Sequence, residues 1–157
     1  MGYILDLRKI EGVGHRPLQM VAGIVFLFDK EGRVLLQKRA DDHTWCVPGG
    51  AMELGETPEE AARREMFEES GLLPAELEFF SLCSGEDAHH IYLNGDEVYA
   101  LDVNYICRKY SGALCRQESE VLEQRFFEVD NLPADTVEKV RETIIEIVKQ
   151  NKHLVNK

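Results

Sequence analysis

The chain has 157 residues, of which 44% are hydrophobic, so it can bury the core of one domain spanning residues 1–157. Its formal net charge of −11 argues against binding to a nucleic-acid duplex, because phosphate backbones are bound mainly by clustered lysine and arginine. The longest apolar run, residues 21–28, is too short to cross a bilayer, and charged residues interrupt the segment where a secretory signal would be apolar. The four cysteines lack C-x-x-C spacing, which favours a reducing compartment. We therefore expect a cytoplasmic protein with no membrane partner.

The first third of the chain predicts an arm followed by a β-hairpin. Residues 1–16 form the arm, which either packs on the sheet or meets a partner subunit in a homodimer. Residues 17–28 predict a strand, 29–32 a turn, and 33–38 an antiparallel partner of that strand. This hairpin leads into the loop 39–48.

A helix is predicted over residues 58–70 from the signals at its two ends. Thr57 is the N-cap, Pro58 occupies the first helical position, and Glu60 completes a Thr-x-x-Glu capping box. Gly71 ends the helix, because glycine adopts the left-handed conformation without a steric penalty.

The rest of the chain predicts further strands and a final helix. Residues 77–82 form a strand, and residues 91–93 and 96–108 form a hairpin around Asn94-Gly95, a pair that favours a type I′ turn. Residues 125–129 give the last strand. Residues 131–150 carry apolar side chains at helical spacing and predict a C-terminal packing helix. Strands alternating with two separated helices favour the α/β class, with a mixed sheet between helical layers.

Three carboxylates share one side of the last turns of the predicted 58–70 helix. Glu65 lies three residues before Glu68 and four before Glu69, so the three are neighbours on the helix surface. They repel one another and also oppose the helix dipole, whose negative end is nearby. A hard divalent cation offsets both effects, and Mg²⁺ prefers oxygen ligands of this kind.

The order of residues around these acids resembles the signature of the Nudix hydrolase family, in its MutT-like form. Gly50 is followed after five residues by Glu56, and after seven more by Arg64-Glu65-Met66-x-Glu68-Glu69-x-Gly71-Leu72. Residues 50–72 match the signature at every specified position.

The resemblance implies a fold and a set of roles. The fold is an α/β/α sandwich with a central mixed β-sheet. A carbonyl near Gly49 joins Glu65, Glu68 and Glu69 around Mg²⁺, for which Mn²⁺ can substitute. Arg64 pairs with Glu56 and holds the loop against the helix, while Gly50 and Gly71 are structural. By analogy with family members, a second acid comes from the loop before the last strand, which indicates Glu120, with Glu118 as a second candidate.

Hydrolysis of a phosphoanhydride bond is the reaction that these groups imply. The metal neutralises the diphosphate, and water attacks phosphorus in line with the leaving group. A carboxylate must accept the proton of this water, and Glu65, Glu68 and a loop acid are the candidates.

The group attached to the diphosphate is set by residues outside the signature. Arg39 resembles a phosphate-contacting position of MutT-like enzymes, although an arginine at a strand end is more often simply exposed. Trp45 can stack on a base or, alternatively, pack in the core. Tyr92, with its neighbours near the Asn94 turn, can line a nucleoside pocket.

Several functions stay open at the level of sequence. A nucleoside triphosphate, with a normal or an oxidised base, is the leading substrate and would give a nucleoside monophosphate and pyrophosphate. The alternatives are an ADP-ribose, nucleotide-sugar or dinucleoside polyphosphate pyrophosphatase. Alternatives from another class are a non-catalytic nucleotide sensor and a protein like isopentenyl-diphosphate isomerase.

Overall fold

The fold is built on a five-stranded mixed sheet and a three-stranded antiparallel sheet. The computed structural model describes residues 2–115 and 117–151. The helices are α1 (Tyr3–Arg8), α2 (Pro58–Ser70) and α3 (Glu138–Gln150). The strands are β1 (Leu18–Leu27), β2 (Val34–Arg39), β3 (Trp45–Cys46), β4 (Gly49–Ala51), β5 (Leu72–Pro74), β6 (Glu78–Cys83), β7 (His89–Ile91), β8 (Glu97–Cys107), β9 (Tyr110–Gly112) and β10 (Val121–Phe127).

The mixed sheet has the order β4-β1-β8-β6, and β7 also pairs with β8. Strands β1 and β8 are parallel along their length, from Leu18 beside Val98 to Leu27 beside Cys107. The second sheet has the order β10-β2-β3, and β5 pairs with β9. The α/β class with a mixed sheet is therefore confirmed.

The apolar side chains of β1 alternate between two cores. Val25 and Leu27 pack with Met66 of α2, whereas Phe26 packs on the other side with Ile144 of α3. Successive residues of a strand point to opposite faces, so β1 serves both cores at once. The strands thus lie between two helices, as the predicted sandwich requires.

The predicted pairing of the first two strands is wrong. Beyond one bridge between Phe28 and Val34, β2 leaves β1 and pairs with β10 and β3 in the other sheet. Both edges of β1 are already taken by β4 and β8. The turn at 29–32 therefore joins two sheets rather than closing a hairpin.

Helix α2 begins and ends where its end signals predict. The Thr57 hydroxyl accepts a hydrogen bond from the Glu60 N–H at 3.2 Å, and the Glu60 carboxylate accepts from the Thr57 N–H at 2.8 Å. Gly71 has a left-handed φ of 73°, and its N–H donates to the Phe67 carbonyl. Caps are local, so sequence alone can place them.

The C-terminal helix starts later than predicted, at Glu138. The segment before it contains a turn, and its Thr136 forms a parallel bridge with Trp45. The Trp45 N–H donates to the Asp135 carbonyl at 3.0 Å, and the Val137 N–H donates to the Trp45 carbonyl at 2.9 Å. These tertiary hydrogen bonds replace the helical ones.

The hairpin at Asn94-Gly95 is present, but its predicted type I′ turn is wrong. The Gly95 N–H donates to the Tyr92 carbonyl at 2.9 Å, and the Tyr92 N–H donates to the Asp96 carbonyl at 2.8 Å. Gly95 has a positive φ of 86°, but among the residues described only His43 has a positive φ without being glycine. A type I′ turn needs positive φ at Asn94 as well, so this is a three-residue loop with a glycine bulge.

The N-terminal arm packs against its own chain. The Arg8 guanidinium donates to the carbonyls of Gly14, Arg16 and Glu97 and lies 3.3 Å from an oxygen of Asp96. The arm is therefore tied to the Asn94 hairpin. Association of two chains in a homodimer stays a prediction.

None of the helices in the described ranges is long and apolar enough to cross a membrane.

Close contact between α2 and β1 depends on Gly23. A Cβ at this position would lie 2.4 Å from the Pro58 carbonyl oxygen and 2.7 Å from the Ala62 nitrogen. Both are backbone atoms of α2, so they cannot move without moving the helix. The distance from helix α2 to the sheet, and hence the position of the carboxylates on α2, depends on the absence of a side chain on Gly23.

We predict that Gly23→Ala lowers the free energy of unfolding by about 1–3 kcal/mol, the usual penalty for an overpacked core. Denaturant unfolding of the variant and the wild type measures the difference. Because the two shortest contacts are with backbone, adding Ala62→Gly, which removes only the contact with the Ala62 Cβ at 2.9 Å, should not restore full stability. Wild-type stability of Gly23→Ala would contradict the close contact.

Candidate active site

The acids of α2 meet the glycines of β4. A Cβ at Gly50 would lie 2.5 Å from the carboxyl carbon of Glu65, so the Glu65 carboxylate occupies the space that a side chain would fill. Glu69 is buried, and its carboxylate accepts a hydrogen bond from the Gly49 N–H at 2.9 Å. Glu68 is exposed. Helix and strand thus bring Glu65 against Gly50 and Glu69 against Gly49, while Glu68 lies on the same helix without a contact to either glycine.

Burial makes Glu69 the most perturbed of these acids. Removal from water raises its pKa to about 7, against the hydrogen bonds from Gly49 and Gln37, which favour the charged form. The charges of Glu65 and Glu120 raise it further. Burial also raises the pKa of Glu65, although Arg64 opposes that shift. Glu65 has the Arg64 guanidinium to stabilise its charge, whereas Glu69 has no ion pair within the described part of the chain.

Arg64 forms the ion pair with Glu56 that the resemblance implied. The guanidinium donates two hydrogen bonds to this carboxylate, at 2.7 and 2.9 Å, and a third to the Ala51 carbonyl at 3.0 Å. It therefore joins helix α2 to the loop and to the end of β4. Its remaining nitrogen contacts Glu65 at 2.6 Å and Glu68 at 3.2 Å, a neutralising role that the sequence did not indicate.

The carboxylates are not drawn together as a metal site. Within residues 2–115 and 117–151, no three side chains of His, Cys, Asp or Glu are grouped closely enough to hold a metal ion. Arg64 holds two of the predicted ligands, and the Gly49 N–H holds the third. The donor set still fits Mg²⁺: it consists of oxygens, and Glu69 is buried without an ion pair in the described part of the chain. Glu65, Glu68, Glu69 and the Gly49 carbonyl are the groups that would hold it.

Glu120 reaches the same place from the loop before β10. Its charge raises the pKa values of both Glu65 and Glu69. The loop is anchored because the Glu120 carbonyl accepts from the Ala40 N–H at 2.9 Å. Glu118, the second candidate, is not among the residues that line the cavity described next.

A cavity of about 510 Å³ opens beside the carboxylates, between the mixed sheet and α3. We call its first part the carboxylate end; it is lined by Gly49, Gly50, Glu69 and Glu120. We call its opposite part the sheet end; its lining includes Ala22, Val98, Ala100, Asp102 and Asn104. The cavity therefore joins an acidic site to a largely apolar surface.

Two of the three predicted substrate residues line this cavity. The Arg39 guanidinium is held by Asp41, to which Nε donates at 2.8 Å, and it lies 6.0 Å from the centre of the Tyr92 ring. Tyr92 in turn lies edge-on to His90, with ring centres 4.4 Å apart. Arg39 and Tyr92 thus form one wall of the cavity.

The prediction that Trp45 stacks on a base is corrected by its position. Trp45 is only 4% exposed and packs edge-on against Phe127 in the core beside α3. It does not line the cavity. The alternative, core packing, describes it.

Sequence reasoning missed Asp102 and Asn104 of β8. They lie on the cavity face of a central strand, two residues apart, where a run of apolar side chains would be expected. The spacing of these residues was the available signal: every second residue of a strand points to the same face, so Ala100, Asp102 and Asn104 share one face of β8.

We predict that Arg64→Lys lowers the free energy of unfolding by about 1–3 kcal/mol, because one ammonium group cannot reproduce the paired hydrogen bonds to Glu56. The control is Arg63→Lys, which alters an ion pair with Glu59 and a hydrogen bond to the Pro74 carbonyl and should change stability less than Arg64→Lys does, because Arg63 has no second carboxylate to neutralise among the described residues. Denaturant unfolding compares the two. Equal effects would argue against a special role for Arg64.

Comparison with known proteins agrees with this geometry. The NUDIX domain model matches residues 17–147. An RNA pyrophosphohydrolase of Aeromonas hydrophila is 44% identical over 43% of this chain, which spans only 37% of that relative's length. An ADP-ribose pyrophosphatase of Methanocaldococcus jannaschii is 33% identical over 82% of this chain and 71% of its own length. The structure of the NUDIX domain of Shewanella oneidensis NrtR complexed with ADP ribose shares the fold, with a TM-score of 0.71 at 16% identity, covering 96% of this chain and 99% of that one. With its family model covering most of the sequence and its signature acids gathered on α2, the chain belongs to the NUDIX family.

Proposed function

We propose that this protein is a pyrophosphohydrolase that cleaves a phosphoanhydride bond in a nucleoside diphosphate derivative, with Mg²⁺ as cofactor and Mn²⁺ as a substitute. The observation that carries this proposal is the packing of Glu65 against Gly50 and of Glu69 against Gly49, where Glu69 and both glycines line one end of a cavity of about 510 Å³. Glu68 is linked to Glu65 through Arg64. Acids of this kind repel a phosphate unless a cation lies between them. The cavity beyond them has room for the organic part of a nucleotide.

Each acid has a distinct task in this proposal. Bound Mg²⁺ supplies charge neutralisation of the diphosphate and acidifies the attacking water. Glu69 is held rigidly by the Gly49 N–H and is suited to a fixed ligand. Glu68 is exposed, and its contact with Arg64 is the longer one, at 3.2 Å, so it can turn towards a water and accept its proton. Glu65 and Glu120 are the other acids within reach of this role.

Arg64 has a second task when a substrate arrives. Its guanidinium holds Glu65 and Glu68 before binding and stays fixed by Glu56 and the Ala51 carbonyl. Release of the two acids requires only that their side chains rotate, because the arginine has other partners.

Two of the candidate substrate classes each have a finding in their favour. The sequence lacks the downstream residue spacings of the coenzyme A, ADP-ribose and dinucleoside polyphosphate subgroups, which favours a nucleoside triphosphate that would give a nucleoside monophosphate and pyrophosphate. The ADP-ribose pyrophosphatase relative, matched over 82% of this chain, favours ADP-ribose or a nucleotide sugar, which would give two phosphate monoesters. The complete set of signature acids favours catalysis over a non-catalytic sensor and hydrolysis over isomerisation of a diphosphate.

We predict hydrolysis of at least one member of a panel of nucleoside triphosphates, ADP-ribose, nucleotide sugars and dinucleoside polyphosphates, assayed with MgCl₂ and resolved by chromatography. Excess chelator should abolish the activity, and the products separate the substrate classes. Full activity in chelator would overturn the metal requirement, and an inert protein would overturn the proposed function.

We predict that Glu68→Gln lowers kcat by about 10²- to 10⁴-fold, the usual contribution of a proton-transfer group. The matched control is Glu59→Gln on the same helix, whose side chain pairs with Arg63 instead and which should retain wild-type kcat. Circular dichroism should be unchanged in both. A Glu68→Gln enzyme within a few-fold of wild type would remove this residue from the reaction.

We predict that Mn²⁺ binds the substrate-free protein and that Glu69→Gln weakens this binding by about 10-fold or more, because a buried ligand is lost. Titration followed by electron paramagnetic resonance measures the free Mn²⁺. Glu76→Gln, which changes an exposed acid paired with Lys109, is the control and should bind as the wild type does. Equal affinity in Glu69→Gln would exclude this residue as a ligand.

A further inference from the structure

The sheet end of the cavity contains one carboxylate whose partner is missing. Asp102 lines the cavity from the middle of β8, the strand beside β1. In the ranges 2–115 and 117–151, its side chain has no hydrogen bond and no ion pair. Its neighbours on the strand face are apolar or uncharged. Nothing in the chemistry described so far uses it.

Asp102 is partly buried, so its carboxylate has lost part of its water without gaining a partner from the described residues. Burial raises the pKa of Asp102 to about 6, and no neighbouring charge or hydrogen bond contributes to the shift. Buried polar groups in proteins are nearly always hydrogen-bonded, because loss of water without compensation is unfavourable.

Two cations that line the cavity are engaged elsewhere. The Lys139 ammonium lies 3.5 Å from Asp87 and 3.4 Å from Glu142, and the Arg39 guanidinium is paired with Asp41. The missing partner of Asp102 is therefore best sought in a bound molecule.

The strand register fixes where such a molecule would meet it. Ala51 of β4 pairs with Ala22 of β1, and Ala22 pairs with Asp102 of β8. Two strand spacings of about 4.8 Å put Asp102 roughly 10 Å across the sheet from β4, where the carboxylate end lies. A diphosphate bound at the carboxylate end extends its organic part over this distance.

Charge selects which part of a ligand can approach Asp102. A carboxylate repels phosphate oxygens and accepts hydrogen bonds from N–H or O–H donors. The sheet surface next to Asp102 leaves room for a ring, because Ala22 and Ala100 line the cavity there with small side chains. Tyr92 and His90 line the cavity with aromatic rings. A flat or hydroxylated ring system fits this surface.

We propose that Asp102 is a specificity-determining residue, whose carboxylate accepts hydrogen bonds from neighbouring donors on the nucleoside part of the substrate, either base N–H groups or ribose O–H groups. This inference rests on the proposed function for the location of the diphosphate. A site that hydrogen-bonds a substrate donor strongly rejects the analogue that lacks it, because the carboxylate is then left unpaired.

The test compares matched ligands in the wild type, Asp102→Asn and Asp87→Asn. Asp87 also lines the cavity but pairs with Lys139, so the same substitution there is the control. In the base arm, ATP and GTP are compared with ITP, and CTP with UTP. In the sugar arm, each nucleotide and ADP-ribose is compared with its 2′-deoxy form. Dissociation constants come from calorimetry with Mg²⁺ on the same proteins carrying Glu68→Gln, which slows hydrolysis, and kcat/KM comes from product release by the proteins without that change.

We expect Asp102→Asn to weaken binding of the preferred ligand by about 10- to 100-fold, the effect of losing a hydrogen bond to a charged group. Asp102→Asn should also abolish the preference between the matched ligands of one arm. Loss of preference in the base arm assigns the hydrogen-bond donor to the base, and loss in the sugar arm assigns it to the ribose. Tripolyphosphate, which has no nucleoside, should bind both proteins equally. Asp87→Asn should keep the wild-type preferences.

Stability separates this role from a structural one. Removing an unpartnered, partly buried charge should raise the midpoint of thermal unfolding of Asp102→Asn without ligand, whereas loss of a structural carboxylate would lower it. Unchanged preferences in both arms, or a lowered midpoint, would overturn the inference. Binding that depends on Asp102 without any hydrolysis would overturn the proposed function alone.

Discussion

The guanidinium of Arg64 holds together groups that electrostatics would separate. It joins Glu56 of the loop, the Ala51 carbonyl of β4, and both Glu65 and Glu68 of α2. Without a fixed cation at this point, the acids of the last helical turns would repel one another and oppose the helix dipole. A guanidinium suits the task because it keeps its charge and bonds in several directions at once. Glu65 and Glu68, two of the acids that we propose as metal ligands, can therefore be accommodated side by side in the fold without a metal ion.

The parts of this site that sequence could predict are those set by short-range rules. Helix α2 was located residue by residue, because its cap hydrogen bonds and its terminal glycine act within a few positions. The Arg64–Glu56 pair followed from the family resemblance. The loop acid Glu120 also followed from that resemblance, and its charge is felt by Glu65 and Glu69.

The features that sequence could not predict depend on distant partners. Strand β2 left its expected neighbour because β8, far along the chain, occupies that edge of β1. Trp45 went to the core because Phe127 packs against it, and the start of α3 was delayed by hydrogen bonds to the same tryptophan. Asp102 could be recognised as a candidate only once the structure showed that it lines the cavity, although the sequence already showed a charged residue within a predicted strand. Local signals thus place the helix that bears the acids, and long-range pairing shapes the cavity beside it.

The parallel pairing of β1 with β8 also bears on how the chain folds. It joins Leu18 to Val98, so the segment that carries α2 must be looped out before the central sheet can close. Closing such a long loop is slow relative to forming a capped helix. Until β8 arrives, the apolar edge of β1 is open to strands of other chains, which makes aggregation during refolding depend on protein concentration.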